Sequence, residues 1–253
     1  MPVPTSARSH YRWSERLAAR AVREARAARP KGPSAVASVI TLHQVAAARQ
    51  AGPAVGEMLS EQSIDTAAEA LINPLSFATI PALIEQRVDQ TRVDFEFDRL
   101  VASLVQESGR AAEQVAVTVR PRVGYVRYLS PPSCSRCAVL AGRVYRYSEG
   151  FLRHPGCDCI HVPTSVSNPA FVHDPVELAR NGLVTGLSKA DMRALGDGAD
   201  FGRVVNVRSK RAGLSTPDGA LFRAGRPTPA GIYAASSSQE DAIERLIAAG
   251  YIR

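Results

Sequence analysis

All four cysteines of this 253-residue chain fall between positions 134 and 159, in the stretch PPSCSRCAVLAGRVYRYSEGFLRHPGCDCIHVP. The order is Cys134-x2-Cys137, sixteen further residues, then His154-x2-Cys157-x-Cys159-x-His161. A Cys-x2-Cys turn presents two thiols close enough to share one tetrahedral ion, and a second pair about twenty residues on can close a four-ligand site that staples a small subdomain. Zinc favours thiolate and imidazole ligands, and such a site adds folding energy. Cys134, Cys137, Cys157 and Cys159 are the simplest ligand set, and His154 or His161 can replace one of the closing cysteines. Three chemistries fit the cluster: a structural metal, which leads; disulfides or free thiols; and a catalytic centre. A catalytic zinc would need an open position and a carboxylate base, for which Glu149 and Asp158 are at hand. A nuclease of the HNH type would need a histidine base, and His154-Pro155 gives it little support.

The rest of the composition narrows the class. With 45% apolar and 22% charged residues the chain is near the average of globular domains, which argues against disorder or a fibrous repeat. Its length suffices for one or two domains. No run approaches eighteen apolar residues, so no membrane span is expected. The first residues lack the apolar core of a secretory signal, so a reducing cytosol is the expected compartment.

The net charge of +7 is unevenly placed. Residues 1–31 hold Arg8, Arg12, Arg16, Arg20, Arg23, Arg26, Arg29 and Lys31 against Glu15 and Glu24. Residues 203–226 hold Arg203, Arg208, Lys210, Arg211, Arg223 and Arg226 against Asp218, and the stretch between the two patches is slightly acidic. The first arginines step by 4, 4, 4, 3, 3 and 3, which keeps them on one side of a helix, with Trp13, Leu17, Ala21 and Ala25 opposite. Such a stripe suits a phosphate backbone or an acidic protein surface, and a solvated helix face fits it equally well. Arg8, Arg12, Arg16, Arg20, Arg23, Arg208, Lys210 and Arg211 are the candidate contacts. With one Trp and no aromatics between the arginines, stacking on single-stranded bases is not expected.

Residues 1–118 read as helical and 119–253 as a mixed module. Pro30-Lys31-Gly32-Pro33 ends a first helix. Ser34 can cap a second that runs to about Gln50, where Gly52-Pro53 is expected to break it before a third over 54–72. Spacing of apolar residues from Pro81 to Val117 predicts one long helix or two with a kink. His43 reads as a packed or surface histidine. Beyond Pro121, a strand or turn is expected over Gly124–Leu129 and a strand over Val204–Val207. Ser188 and Asp191 form a possible capping pair, Thr228-Pro229 a helix start, and Ser237-x-x-Glu240 a capping box. The fold class expected is α+β and mainly helical: an N-terminal helical arm or bundle, then a small cysteine-rich, zinc-stapled α+β module.

The cysteine segment resembles the head-morphogenesis family typified by the F protein of phage Mu, the MuF-like minor capsid proteins of tailed phages. The residues that carry the likeness are Cys134-Ser-Arg-Cys137, Leu140-Ala-Gly142, Tyr145 and His154-Pro155-Gly156-Cys157-Asp158-Cys159. Flanking stretches are similar to those of actinobacterial phage and prophage proteins: Gly124-Tyr-Val-Arg127, Gly198-Ala-Asp200, Val204-Val-Asn206, Thr228-Pro229 to Ile232-Tyr233, and Gly250-Tyr251-Ile252. The likeness runs from about residue 95 to the end.

What the resemblance implies is a minor structural protein of the virion interior, assembled in the host cytoplasm near the portal. It would meet portal, scaffold or major capsid protein and packaged double-stranded DNA, and no membrane. The alternative is a capsid maturation protease or a metal-dependent nuclease of the same head module. The sequence has no Gly-x-Ser-x-Gly elbow and no His-Glu-x-x-His helix, and neither His43 nor His173 has a serine singled out beside it. No catalytic residue is expected.

Overall fold

The computed structural model describes residues 3–64, 73–129, 131–141, 143–146, 160–167, 170–207 and 226–253. Their packing divides them into two compact units, 1–126 with 144–171 and 127–143 with 172–253. The chain is mainly helical with a little sheet, an α+β composition.

Among the described residues four helices build the first unit: α1 (Thr5–Ala28), α2 (Pro33–Glu61), α3 (Pro81–Gln90) and α4 (Asp94–Thr118). The 3-10 turn Arg29–Lys31 and Gly32, whose φ of +99° suits glycine, separate α1 from α2 at the predicted Pro-Lys-Gly-Pro break. Ala21, Ala25, Val36, Ala37, Ile40, Ala47, Ile84, Phe97, Val101 and Leu104 share one buried core, and Ala48, Ala51 and Ala112 form a second where α2 meets α4. Small residues set that approach: a Cβ added at Gly109 of α4 would lie 3.3 Å from that of Ala47. On α1, Ala21 and Ala25 are buried and Trp13 and Leu17 half-buried, as the arginine spacing requires.

Helix α2 does not stop at Gly52-Pro53. It continues to Glu61 with Pro53 inside it on the exposed side. Interior proline costs a helix about 3 kcal/mol. Here Ala47, Ala48, Ala51, Ala54, Val55, Met58 and Leu59 keep one face buried straight through the proline, and that burial outweighs the local cost. Nor does Ser34 cap α2, because Gly32 occupies the cap position and Pro33 the first turn. Residues 65–72, expected in a third helix, lie outside the described residues. The 81–117 stretch resolves into α3 and α4, parted by the extended Thr91 and Val93.

Glu61 closes the far end of α1. Its carboxylate accepts the backbone N–H of Thr5 at 2.7 Å and of Ser6 at 2.9 Å, two of the donors an α-helix leaves unsatisfied at its start. The Ser6 bonds, then that of Thr5, hold the Glu61 carboxyl below its ordinary range. Gln62 donates its amide to the carbonyls of Met58 (2.9 Å) and Pro163 (2.8 Å), tying the end of α2 to the sheet.

That sheet has the order β3-β1-β4, from β1 (Val123–Tyr128), β3 (Val144–Tyr145) and β4 (Ile160–Ser165). Strands β1 and β3 are antiparallel, with Tyr125 opposite Tyr145 and Val126 opposite Val144. Gly124 is required there, since a Cβ would stand 2.7 Å from the Tyr145 carbonyl oxygen.

The second unit is built of short pieces. Strand β2 (Ser133–Cys134) pairs in parallel with β5 (Val184–Thr185). Around them lie α5 (Ser135–Ala141), α6 (Pro175–Arg180), α7 (Lys189–Gly196), α8 (Phe201–Asn206), α9 (Pro229–Ala235) and α10 (Gln239–Ala248). Ser188 and Asp191 form the predicted capping box on α7, and Thr228 accepts the Gly231 N–H at the start of α9. On α10 the cap falls one residue later than predicted, at Ser238 with Asp241. The Val204–Val207 segment is helix, not strand. Asp200 accepts the Arg203 N–H at 2.8 Å and starts α8, while Val204 and Val205 turn inward. Buried Tyr251 fastens the C-terminal segment: its hydroxyl donates to Pro227 O (2.9 Å) and its carbonyl accepts the Asp200 N–H (2.8 Å). Among the described residues no helix is long and apolar enough to cross a membrane.

Candidate functional site

The Cys-x2-Cys turn sits where β2 passes into α5. Cys134 ends the strand and Cys137 lies in the first turn of the helix, so the change of backbone direction folds the two side chains together. Their sulfurs are 3.3 Å apart with no disulfide between them, Cys137 buried and Cys134 half-buried. Two thiolates on one tetrahedral zinc, each with a bond of about 2.3 Å, stand roughly 3.8 Å apart. The pair therefore fits half of such a site with a small side-chain adjustment. His154, Cys157 and Cys159 lie outside the described residues. Among those that are described, no three His, Cys, Asp or Glu side chains are arranged to hold a metal.

His161 belongs to β4 in the first unit, in company that the sequence did not suggest. Its ring stacks on Tyr125 at 5.2 Å, and its Nδ1 is 3.9 Å from Glu113 Oε2. The other carboxylate oxygen of Glu113 meets His10 Nε2 at 2.7 Å, and His10 stacks on Trp13. One carboxylate of α4 thus lies between an imidazole from α1 and another from β4. Burial pulls the His10 pKa down, but its hydrogen bond to Glu113 and the charges of Glu113 and Glu57 outweigh that and raise it. Such a pair can hold a proton. The cavity beside Glu113, Tyr125 and His161 has a volume of only about 10 Å³, space for at most one water, so the cluster works as an internal ion pair and not as a seat for substrate. His43 is also packed away: Nδ1 lies 3.0 Å from Val39 O and Nε2 3.5 Å from Glu24.

The arginine stripe of α1 is exposed along its length. Arg8, Arg12, Arg16, Arg20, Arg23 and Arg26 all face solvent. Arg20 pairs with Glu24 at 2.6 Å, which lowers the glutamate's pKa. Arg26 grips Asp98 with two bonds of 2.7 Å, and Arg29 reaches Asp94 at 2.8 Å while its guanidinium lies over Phe97. Arg8, Arg12, Arg16 and Arg23 have no acidic partner among the described residues. From Arg8 to Arg23 the helix climbs roughly 22 Å. Within this half Arg20 is paired with Glu24 and the other four arginines present their charge on a straight support, while the far half is committed to holding α1 on α4. Arg208, Lys210 and Arg211, the other candidate contacts, lie outside the described residues.

Set against protein-family models, curated protein sequences and solved structures, the chain finds no match in any of the three.

Proposed function

We propose that this protein is a MuF-like minor capsid protein, a non-enzymatic part of a phage head that acts during assembly at the portal or the capsid interior. The observation that carries the reading is the ordered motif Cys134-x2-Cys137, Leu140-x-Gly142, Tyr145, His154-Pro155-x-Cys157-x-Cys159. The closeness of the Cys134 and Cys137 sulfurs supports a staple at its first half. A structural zinc would there bind the thiolates of Cys134, at the end of β2, and Cys137, in the first turn of α5, together with ligands drawn from His154, Cys157 and Cys159. The free arginines of α1 would face packaged double-stranded DNA or an acidic surface of portal, scaffold or major capsid protein. Its place would be the virion interior, reached from the host cytoplasm.

Two measurements test this. The purified protein should carry one zinc per chain, and Cys134→Ser or Cys157→Ser should lose both the metal and cooperative unfolding. Co-expression with the neighbouring portal, scaffold and major capsid proteins should give incorporation into particles without cleavage of any of them. Cleavage abolished by a single Ser or His substitution would replace this reading with the maturation protease.

A further inference from the structure

Helix α1 exposes no large apolar residue. Besides its arginines it shows solvent only Thr5, Ser9, Glu15, Ala19 and Ala27. A surface that receives a protein partner ordinarily carries aromatic or aliphatic anchors that lose their water on docking, and this face has none. What it offers is charge. On a helix turning about 100° per residue, Arg8, Arg12, Arg16 and Arg23 fall within an arc of about 80°. Ala19 lies in the same arc, between Arg16 and Arg23, and is too short to hold a ligand away from them. The acids of the helix do not cancel the row. Glu15 accepts the side-chain amide of Gln106 on α4 at 2.6 Å, and Glu24 accepts Arg20 at 2.6 Å.

The support of the row suits a stiff polyanion. Glu61 holds the start of α1, and Arg26 and Arg29 fasten its end to Asp98 and Asp94 of α4, so the arginines are already in line before anything binds. Over the roughly 22 Å from Arg8 to Arg23, B-DNA presents about 13 phosphates, one per 1.7 Å of its axis, so four guanidinium groups find acceptors in any register. Trp13 lies outside the arc, half-buried and stacked on His10, so the row offers no indole on which unstacked bases could lie. Helix α1 has no Asn or Gln to read adenine edges.

We propose that the α1 row is a sequence-independent binding surface for double-stranded DNA, on which Arg8, Arg12, Arg16 and Arg23 each neutralise one backbone phosphate. This deepens the head-assembly reading, on which it rests for the occasion at which a duplex is met, and it sets the duplex above the acidic protein surface. The test is fluorescence anisotropy of the full chain with a labelled duplex of about 30 base pairs between about 50 and 200 mM salt. Four contacts lower the affinity roughly a hundredfold across that range. Arg8→Ala, Arg12→Ala, Arg16→Ala and Arg23→Ala combined should flatten the slope of log affinity against log salt by about 3.6. The same four positions changed to lysine should keep the slope, which separates lost charge from lost fold. Arg20→Ala, whose guanidinium is already paired, should flatten it less than Arg16→Ala does. A single strand of the same length should bind more weakly than the duplex. A slope that the four-alanine variant shares with the wild type, tighter binding of the single strand, or displacement of the duplex by an equal charge of polyglutamate would overturn the proposal. If duplex binding fails while the chain still enters particles, this inference falls alone; if the duplex binds and incorporation fails, the head-assembly reading falls alone.

Discussion

Helices α1 to α4 of the first unit begin after Pro4, Gly32, Ile80 and Val93, and none of these residues closes its helix with a side-chain hydrogen bond. Helices α6 to α10 of the second unit begin after Asp174, Ser188, Asp200, Thr228 and Ser238, and each of these does. For α1, α2 and α4 the difference follows length, while α3, ten residues long and without a side-chain cap, is held by the buried Ile84 and Val88. A helix of 24 to 29 residues, as in α1, α2 and α4, buries a long stripe, and its ends are a small part of the balance. A helix of 6 to 10 residues has few turns to bury, so one satisfied N–H at its start is a large share of what holds it. The first unit is thus maintained from its side faces and the second from its helix ends.

The sharpest way to break that contrast is at Phe97, which is fully buried in the four-helix core. Phe97→Ala should cost about 3–5 kcal/mol in urea unfolding followed by circular dichroism. A loss below about 1 kcal/mol would mean that burial does not govern the first unit. Pro53 tests the same idea with the opposite sign. If burial carries α2 through a residue that opposes helix, Pro53→Ala should raise stability by about 1–3 kcal/mol, and a decrease would show that the proline is needed for the helix path.

Ser188→Ala, which removes half of the capping box on α7, should cost about 1 kcal/mol. Ser34→Ala, at the place where the sequence suggested a cap for α2, should stay within about 0.5 kcal/mol of wild type. Equal losses at the two positions would erase the distinction between the units. The smallest effect is expected from pH. Folding raises the His10 pKa above its ordinary 6.5, so the folded chain binds that proton more tightly than the unfolded one. The resulting stability is complete below pH 6.5 and is lost as pH rises through the folded value. Thermal melts across neutrality should show this slope, and His10→Gln should flatten it. At the acid end the sign reverses for Glu61, whose lowered pKa means stability lost as pH falls below 4.5.

The same contrast explains what could be read in advance. The caps at Ser188 and Thr228 were legible because capping acts within three residues, as was the meeting of Cys134 and Cys137, set by a spacing of one helical turn. Ser237 and Ser238 stand side by side with Glu240 and Asp241, and the sequence named the wrong pair by one residue. Val204–Val207 looked like strand because β-branched residues crowd there, yet the Asp200 cap three residues ahead of Arg203 decided for helix. In the first unit the deciding groups are distant. Whether Gly52-Pro53 breaks α2 depends on what packs against Ala51 and Ala54. The His10–Glu113–His161 set joins residues from α1, α4 and β4, and no local spacing announces it.

Glu61 has a consequence in time. The N–H groups of Thr5 and Ser6 emerge from a ribosome more than fifty residues ahead of the carboxylate that accepts them. Until α2 is made to its last turn, the first turn of α1 has no acceptor and frays. The leading helix therefore settles last at its own beginning, and its arginine-bearing surface becomes straight only when the hairpin with α2 closes. Nascent chains of this protein should keep the start of α1 open to protease until residue 61 is clear of the exit tunnel, and protected from then on.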